Sequence, residues 1–321
     1  MGVNLKDLVV HKPLSLDELS GKTIAVDALN SLYQFLASIR QADGTPLMDG
    51  DGNVTSHLSG LFYRTVRLLR LGIKPIYVFD GEPDELKKIE IRKRRKVKEE
   101  AERKWEKAKA EGRFEDARKY AMRTSRFTKD MLEESKQLLQ CMGVPYIQAP
   151  GEGESQCALL VERGDAWAVG SQDYDTLLFG SKILVKGLTL SGELELKMLF
   201  LDEVLADSGL SREQLVDLAI LIGTDFNKGV HGIGPKKGLV VVKEGRMNEF
   251  EIPDLDRIRN IFLKPNVSED YEINWNGVDT GGLVEFLSGK HGFSEDRIGK
   301  TAKDLSTAYR EFQQQSISKW F

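Results

Sequence analysis

Thr23-Ile24-Ala25-Val26 is a short apolar run that ends on Asp27, and its reading decides the fold. Four such residues in a row suit a strand buried on both faces of a parallel sheet. A second run, Ile76 to Phe79, ends on Asp80. A third, Trp167 to Val169, leads into Ser171-Gln172-Asp173. Helical patterns separate them. Leu58, Leu61, Phe62, Thr65, Leu68 and Leu69 recur at helical spacing, Met131 to Met142 repeat the pattern before Gly143, and Glu154 to Glu162 open a third helix. The alternation predicts an α/β fold: a mostly parallel central sheet flanked by helices.

The chain has 321 residues, 40% hydrophobic and 30% charged. That suits one large globular domain or two small ones and excludes a disordered or collagen-like polymer. No run approaches the roughly 18 apolar residues of a membrane helix. Met1 to Leu8 lacks the apolar segment of a secretory signal. No membrane partner and an intracellular location are therefore expected. Cys141 and Cys157 have no ligand spacing and read as buried thiols of a reducing compartment. Four scattered histidines argue against a histidine-based zinc centre.

Charge is uneven. Residues 86–130 carry 18 Lys or Arg and 9 Asp or Glu; this net of +9 leaves −13 for the rest of a chain whose total is −4. Lys87 to Lys98 hold eight basic residues and one acid, Glu90. A solvated helix laced with ion pairs would read the same way. The other reading is a helical insertion that meets a phosphate backbone, and the acidic remainder then needs its own reason, such as metal ligation.

Ligands of open α/β sheets sit beyond the carboxyl ends of the strands. Asp27, Asp80 and Asp173 fall there, with Asp175 two residues on. Glu152 and Glu154 lie in Pro150-Gly151-Glu152-Gly153-Glu154, where a helix begins, and Asp225 closes a Gly-Thr-Asp turn. Any one of these reads as a cap or turn residue. Seven converging on one place would repel unless cations sat between them. Oxygen ligands without histidine point to Mg²⁺ or Mn²⁺, and seven are enough for two ions at a phosphodiester.

Further on, Gln214 to Ile222 and Lys236 to Lys243 read as helices joined through Gly229 to Gly234. The joint His231-Gly232-Ile233-Gly234-Pro235-Lys236-Lys237 offers glycines, a helix N-terminus and two lysines to an oxyanion. It fits sequence-independent contact with DNA backbone; a plain helix-capping turn is the alternative. Asp279 to Leu287 and Ser294 to Phe312 read as helices packing back on the core. Gln313 to Lys319 read as loose.

Together these segments resemble the flap endonucleases of the archaeal and eukaryotic type, in the structure-specific 5′ nuclease superfamily, from end to end. The resemblance is carried by Met1-Gly-Val-Asn4, Asp27-Ala-Leu-Asn30, Tyr33-Gln-Phe35, Thr55-Ser-His-Leu58, Phe62-Tyr-Arg64, Val78-Phe-Asp-Gly81, Pro150 to Glu154, Gln172-Asp-Tyr-Asp175, Ile222 to Asp225 and Gly232 to Lys236. It implies a PIN-like nuclease fold with a helical arch over 86–130 and a helix-hairpin-helix over 215–242. Residues 1–312 would form one nuclease domain, with an N-terminal region over 1–100 and an internal region over 131–260. The implied activity is cleavage of 5′ flap, nicked or gapped DNA by two-metal-ion catalysis, with 5′–3′ exonuclease action, in Okazaki fragment maturation and long-patch base excision repair. The seven acids would be the metal ligands. Lys87 and Arg94, two helical turns apart, would reach the scissile phosphate, and Tyr33 would stack near it. Gly2, Arg64, Gly232, Gly234, Lys236 and Lys237 would contact DNA, with a potassium ion at the hairpin.

Two departures from the family pattern stand out. Glu82-Pro83-Asp84 replaces a pair of prolines at the start of the arch, and Phe226 replaces a tyrosine after Asp225. At the other end, Gln314, Ile317, Trp320 and Phe321 in the tail 313–321 resemble the short motif that docks on the proliferating cell nuclear antigen sliding clamp. A short chain ending on that motif fits the archaeal type, a monomer when off the clamp. The competing readings are a 5′ exonuclease or Holliday-junction resolvase of the same superfamily, and a catalytically idle DNA or clamp scaffold.

Overall fold

Apolar residues at alternate positions send side chains to both faces of the expected strands. The computed structural model describes residues 3–189 and 196–318, with residue 89 and residues 311–318 described by backbone alone. Among these residues, β1 (Lys12–Leu14), β2 (Thr23–Asp27), β3 (Lys74–Phe79), β4 (Tyr146–Gln148), β5 (Ala168–Gly170), β6 (Ile183–Lys186) and β7 (Leu196–Phe200) form one sheet in the order β1-β7-β6-β5-β2-β3-β4. The run from β6 to β4 is parallel, and β7 is antiparallel to both β6 and β1. The sheet is mostly parallel, as the sequence predicts. The sequence expectation does not include β1, β4, β6 and β7, of three to five residues each.

On one face, Ile24, Val26, Tyr77 and Phe79 meet α1 (Ala28–Ser38) and α2 (Ser56–Arg70). The 85–121 segment that follows β3 folds as α3 (Glu85–Ala110) and α4 (Phe114–Ala121). α5 (Lys129–Cys141) then returns to the core. On the other face, Ala25, Ile76, Val78 and Val169 meet Cys157, Leu160 and Val161 of α6 (Gly153–Arg163). A separate apolar cluster joins α7 (Asp175–Leu178), α8 (Leu201–Ser208), α9 (Arg212–Ile222), α10 (Pro235–Lys243) and α11 (Leu255–Leu263) to the β6 side of the sheet. α12 (Thr280–Val284) and α13 (Glu295–Ser318) close over the first face through Leu283, Ile298 and Leu305.

Small residues let α4 fold back along α3: Ala101, Ala108, Ala117 and Ala121 are all buried. The far end of this pair rests on the 40–54 hairpin. Trp105 Nε1 donates to the Asp43 carbonyl at 3.2 Å, and Lys109 pairs with Asp43 at 2.8 Å. Gly44, at φ +85°, lies so close that a Cβ there would fall 2.7 Å from Ala121.

Three sequence expectations need correction. The tail is not loose from residue 313: α13 runs on to Ser318, because Glu311 and Gln313-Gln314-Gln315 are good helix formers that extend a helix already nucleated by packing. Residues 319–321 lie outside the described residues. Cys141 is half-buried, whereas Cys157 is fully buried. The histidines are not all apart: His57 and His291, both buried, each lie 3.5 Å from the Glu134 carboxylate.

One close approach fixes α1 against α2. A Cβ on Gly60 would sit 2.2 Å from the Phe35 ring. Gly60→Ala therefore costs about 1–3 kcal/mol through overpacking, read as a lowered Tm, with part of it recovered when Phe35→Leu is added. An unchanged Tm would show that the helices are not packed this tightly.

Candidate active site

The parallel register sets the acids side by side. Asp27 is opposite Val78 across β2 and β3, and Val26 is opposite Gly170 across β2 and β5. Asp27, Asp80 and the 171–175 loop thus leave the sheet at one edge. Asp27 caps α1, its Oδ1 accepting the Asn30 N–H at 2.9 Å. Asp80 Oδ1 accepts the Gly153 N–H in the first turn of α6, where the helix end favours negative charge. Gly81 allows the two segments to meet, since a Cβ there would lie 2.4 Å from the Ala149 carbonyl oxygen. Glu152 occupies the N-cap of α6 and Glu154 its first turn. Asp175 opens α7 and accepts the Val3 N–H at 2.6 Å.

Asp225 arrives from a different element, the turn after α9. Thr224 and Asn227 brace that turn, Oγ1 to Oδ1 at 2.9 Å. Gly229 closes it at φ +71°, with its Cβ position 2.3 Å from the Ile222 carbonyl oxygen. Phe226 is buried with its ring against Phe262, an apolar seat that needs no hydroxyl.

The charges feel one another. Burial, then Asp80, pushes the Asp27 carboxyl well above the usual range. Burial, then Asp175, Asp173 and Asp27, does the same to Glu154. Burial raises Asp175 to about 7, with Asp225 and Asp173 adding to it against the Val3 hydrogen bond. Burial also raises Asp80 and Glu152, with Lys87 opposing in both. Lys87 donates to Glu152 and lies 4.0 Å from Asp225, and Arg94 donates to Asp225. Burial would lower the Lys87 pKa, but Glu152, Asp80 and Asp225 outweigh it and hold the amine above its ordinary value. Both basic residues of the α3 base thus rest on acids.

Among the described residues, no three of these acids close into a finished cage for an ion. They are neighbours that still repel, and two are turned toward Lys87 and Arg94. The donor set nevertheless fits a hard cation: carboxylate oxygens throughout, with burial holding Asp27, Asp80, Glu152, Glu154 and Asp175 toward their protonated forms.

Other expected residues sit around this edge. Tyr33, on α1, faces Phe127 with ring centroids 5.8 Å apart, and Lys98 lies 4.6 Å over its ring. Arg64 is half-buried on α2 between Arg67 and Tyr77, outside the acid cluster. Gly232, Gly234, Lys236 and Lys237 form an exposed joint between α9 and α10. Gly232 is at φ +79°, open space surrounds both glycine Cβ positions, and Pro235 begins α10. Gly2, Trp320 and Phe321 lie outside the described residues. Gln314 and Ile317 fall on α13, where only the backbone is described.

Two neighbours escaped the sequence reading. Asn30 donates to Asp173 Oδ2 at 3.0 Å; its place one turn after Asp27 was a usable signal. Lys186 donates to the Gln172 carbonyl and lies 3.5 Å over the Tyr174 ring. Burial lowers its pKa to about 8 against the pull of Asp173 and Glu154. Its short strand offers no local pattern that points to the site.

Comparison with known proteins adds the family. A model described as the XPG N-terminal domain matches residues 2–101, and one described as the XPG I-region matches residues 143–225. Flap endonuclease 1 of Methanothermobacter thermautotrophicus is 49% identical over 330 residues, covering 100% of both chains. That of Pyrococcus horikoshii is 48% identical over 338 residues, covering 100% of this chain and 98% of its own. Among solved structures, flap endonuclease-1 from Methanococcus jannaschii has a TM-score of 0.82 at 41% identity, over 97% of this chain and 99% of that one.

Unrelieved repulsion has a measurable cost. Asp175→Asn keeps an acceptor for Val3 and removes one buried charge. The folded carboxyl holds its proton to about 7, while the ordinary value is 3.8. The metal-free parent therefore loses stability as pH rises between those values, and the amide does not. By thermal unfolding without metal, Asp175→Asn is the more stable, by on the order of 1–3 kcal/mol at pH 8, with a smaller gap at pH 5. A less stable variant at pH 8 would mean the acids are already compensated.

Proposed function

The chain belongs to the flap endonucleases, structure-specific 5′ nucleases that hydrolyse DNA phosphodiester bonds, and on that premise we propose how its residues divide the work. It is a 5′ flap endonuclease; Okazaki fragment maturation and DNA repair are the usual role of the family, and its nucleases use divalent metal. One observation carries the assignment of roles: the meeting of seven acids with Lys87 and Arg94 at one sheet edge.

Asp27, Asp80, Glu152, Glu154, Asp173, Asp175 and Asp225 would hold two Mg²⁺ ions, or Mn²⁺ in their place. Bound there, the ions would supply the positive charge that acidifies an attacking water and offsets charge on the leaving oxygen. Lys87 and Arg94 exchange their acids for the scissile phosphate and offset its developing charge. That exchange leaves the Glu152 and Asp225 oxygens free as ligands. Asn30 keeps Asp173 in place, and Tyr33 offers a ring on which the base beside the cut can stack.

Residues 86–130 form the arch that holds the 5′ single strand. The Gly232–Lys237 joint takes the phosphates of the duplex through backbone N–H groups and lysines, with a potassium ion completing it. Arg64 and Gly2 extend the DNA surface. The same site acts on nicked and gapped DNA and removes 5′ nucleotides exonucleolytically. Residues 1–312 act as one nuclease domain, and Gln314, Ile317, Trp320 and Phe321 dock on the sliding clamp, to which the protein comes as an intracellular monomer.

A single-turnover assay on 5′-labelled double-flap DNA tests the core of this reading. Mg²⁺ gives a product cut near the flap base, and EDTA gives none. Lys87→Ala slows the cut by about 10²-fold or more while flap affinity changes little. Parent-like cleavage by that variant would remove Lys87 from the reaction. Deleting residues 314–321 leaves flap cleavage intact and abolishes clamp binding; an unchanged clamp affinity by calorimetry would sink the tail assignment.

A further inference from the structure

Lys87 is the third residue of α3, so its reach depends on where that helix begins. Two features fix the start. Leu86 packs against the cluster around α9 and α11. Asp84 caps the helix twice: its Oδ1 accepts the Leu86 N–H at 2.9 Å, and its carbonyl accepts the Lys87 N–H at 3.0 Å. The cap is itself held from outside. Arg257 of α11 places Nη2 at 3.0 and 3.2 Å from the two Asp84 carboxylate oxygens.

Packing alone does not join these parts. A cleft of about 290 Å³ opens between the start of α3 and α11, lined among others by Glu82, Glu152, Phe226, Asn260 and Lys264. The Asp84–Arg257 pair spans its rim. Asp84 stands where a second proline would otherwise stiffen the chain, and its backbone, at φ −58° and ψ 149°, is one that proline adopts. The ion pair thus restrains by side chains what a ring would restrain covalently.

We propose that Arg257 is a positioning residue for Lys87, acting through Asp84 to fix the first turn of α3 over the acidic edge. The proposal rests on the role given to Lys87 above. Without Arg257 the cap loses its outer anchor, and the Lys87 amine is aimed less well at the reacting phosphate.

The test is single-turnover cleavage of double-flap DNA with Mg²⁺, beside flap affinity and Tm, for Arg257→Gln, Lys87→Ala, the double variant, and Arg257→Gln in an Asp84→Pro background. Arg257→Gln slows cleavage by about 3- to 10-fold, the size expected for an exposed ion pair coupled to a cap, while affinity stays within about twofold of the parent. Added to Lys87→Ala it costs nothing further, and in the Asp84→Pro background its effect disappears. Several results would overturn the proposal: a parent-like rate for Arg257→Gln, a loss that adds in full to that of Lys87→Ala, a loss that persists beside Asp84→Pro, or a matching loss of flap affinity, which would make Arg257 a DNA contact. A parent-like rate for Lys87→Ala would instead remove the reading on which the proposal rests.

Discussion

The site depends on the register of three parallel strands. Asp27 ends β2 opposite Val78, so the next residues of β3 carry Asp80 out at the same edge, and the pairing of Val26 with Gly170 brings the 171–175 loop beside them. A slip of one residue would exchange the faces, turning Ile24 and Val26 toward Cys157 and Leu160 of α6 and Ala25 toward α1 and α2. The sheet cannot slip without mismatching both of its packed faces. The stability of the apolar core and the placing of the acids are therefore one constraint.

That constraint creates an electrostatic difficulty, which the flanking elements ease in different ways. The N-terminus of α6 faces Asp80, Asn30 reaches Asp173, and Val3 reaches Asp175. Lys87 and Arg94 come from the insertion that follows β3 and rest on Glu152 and Asp225. Asp27 and Glu154 remain the most strongly raised. A fold that accepts this cost keeps a place where positive charge is stabilising.

Much of this was legible in the residues themselves. Asp27, Asp80 and Asp173 follow apolar runs, and a carboxylate at such a place is a local pattern. The glycines at 151, 153 and 223 announce the turns that carry Glu152, Glu154 and Asp225. Lys186 and Arg257 were not legible: Lys186 lies on a short strand with no local pattern, and Arg257 pairs with Asp84, 173 residues away. His57 and His291 looked unrelated for the same reason: only the folded chain brings them to Glu134. In the tail polarity does not mean looseness, since α13 continues on helix propensity to Ser318.

The two ion pairs at the base of α3 have a thermodynamic corollary. While Lys87 is engaged by Glu152 and Arg94 by Asp225, each pair occupies a group that a phosphate would seek and one that a cation would seek. On the roles proposed above, whichever ligand arrived first would break the pairs and spare the second that expense. Anion and cation would then be heterotropic partners, each by reciprocity raising the affinity for the other by the same factor.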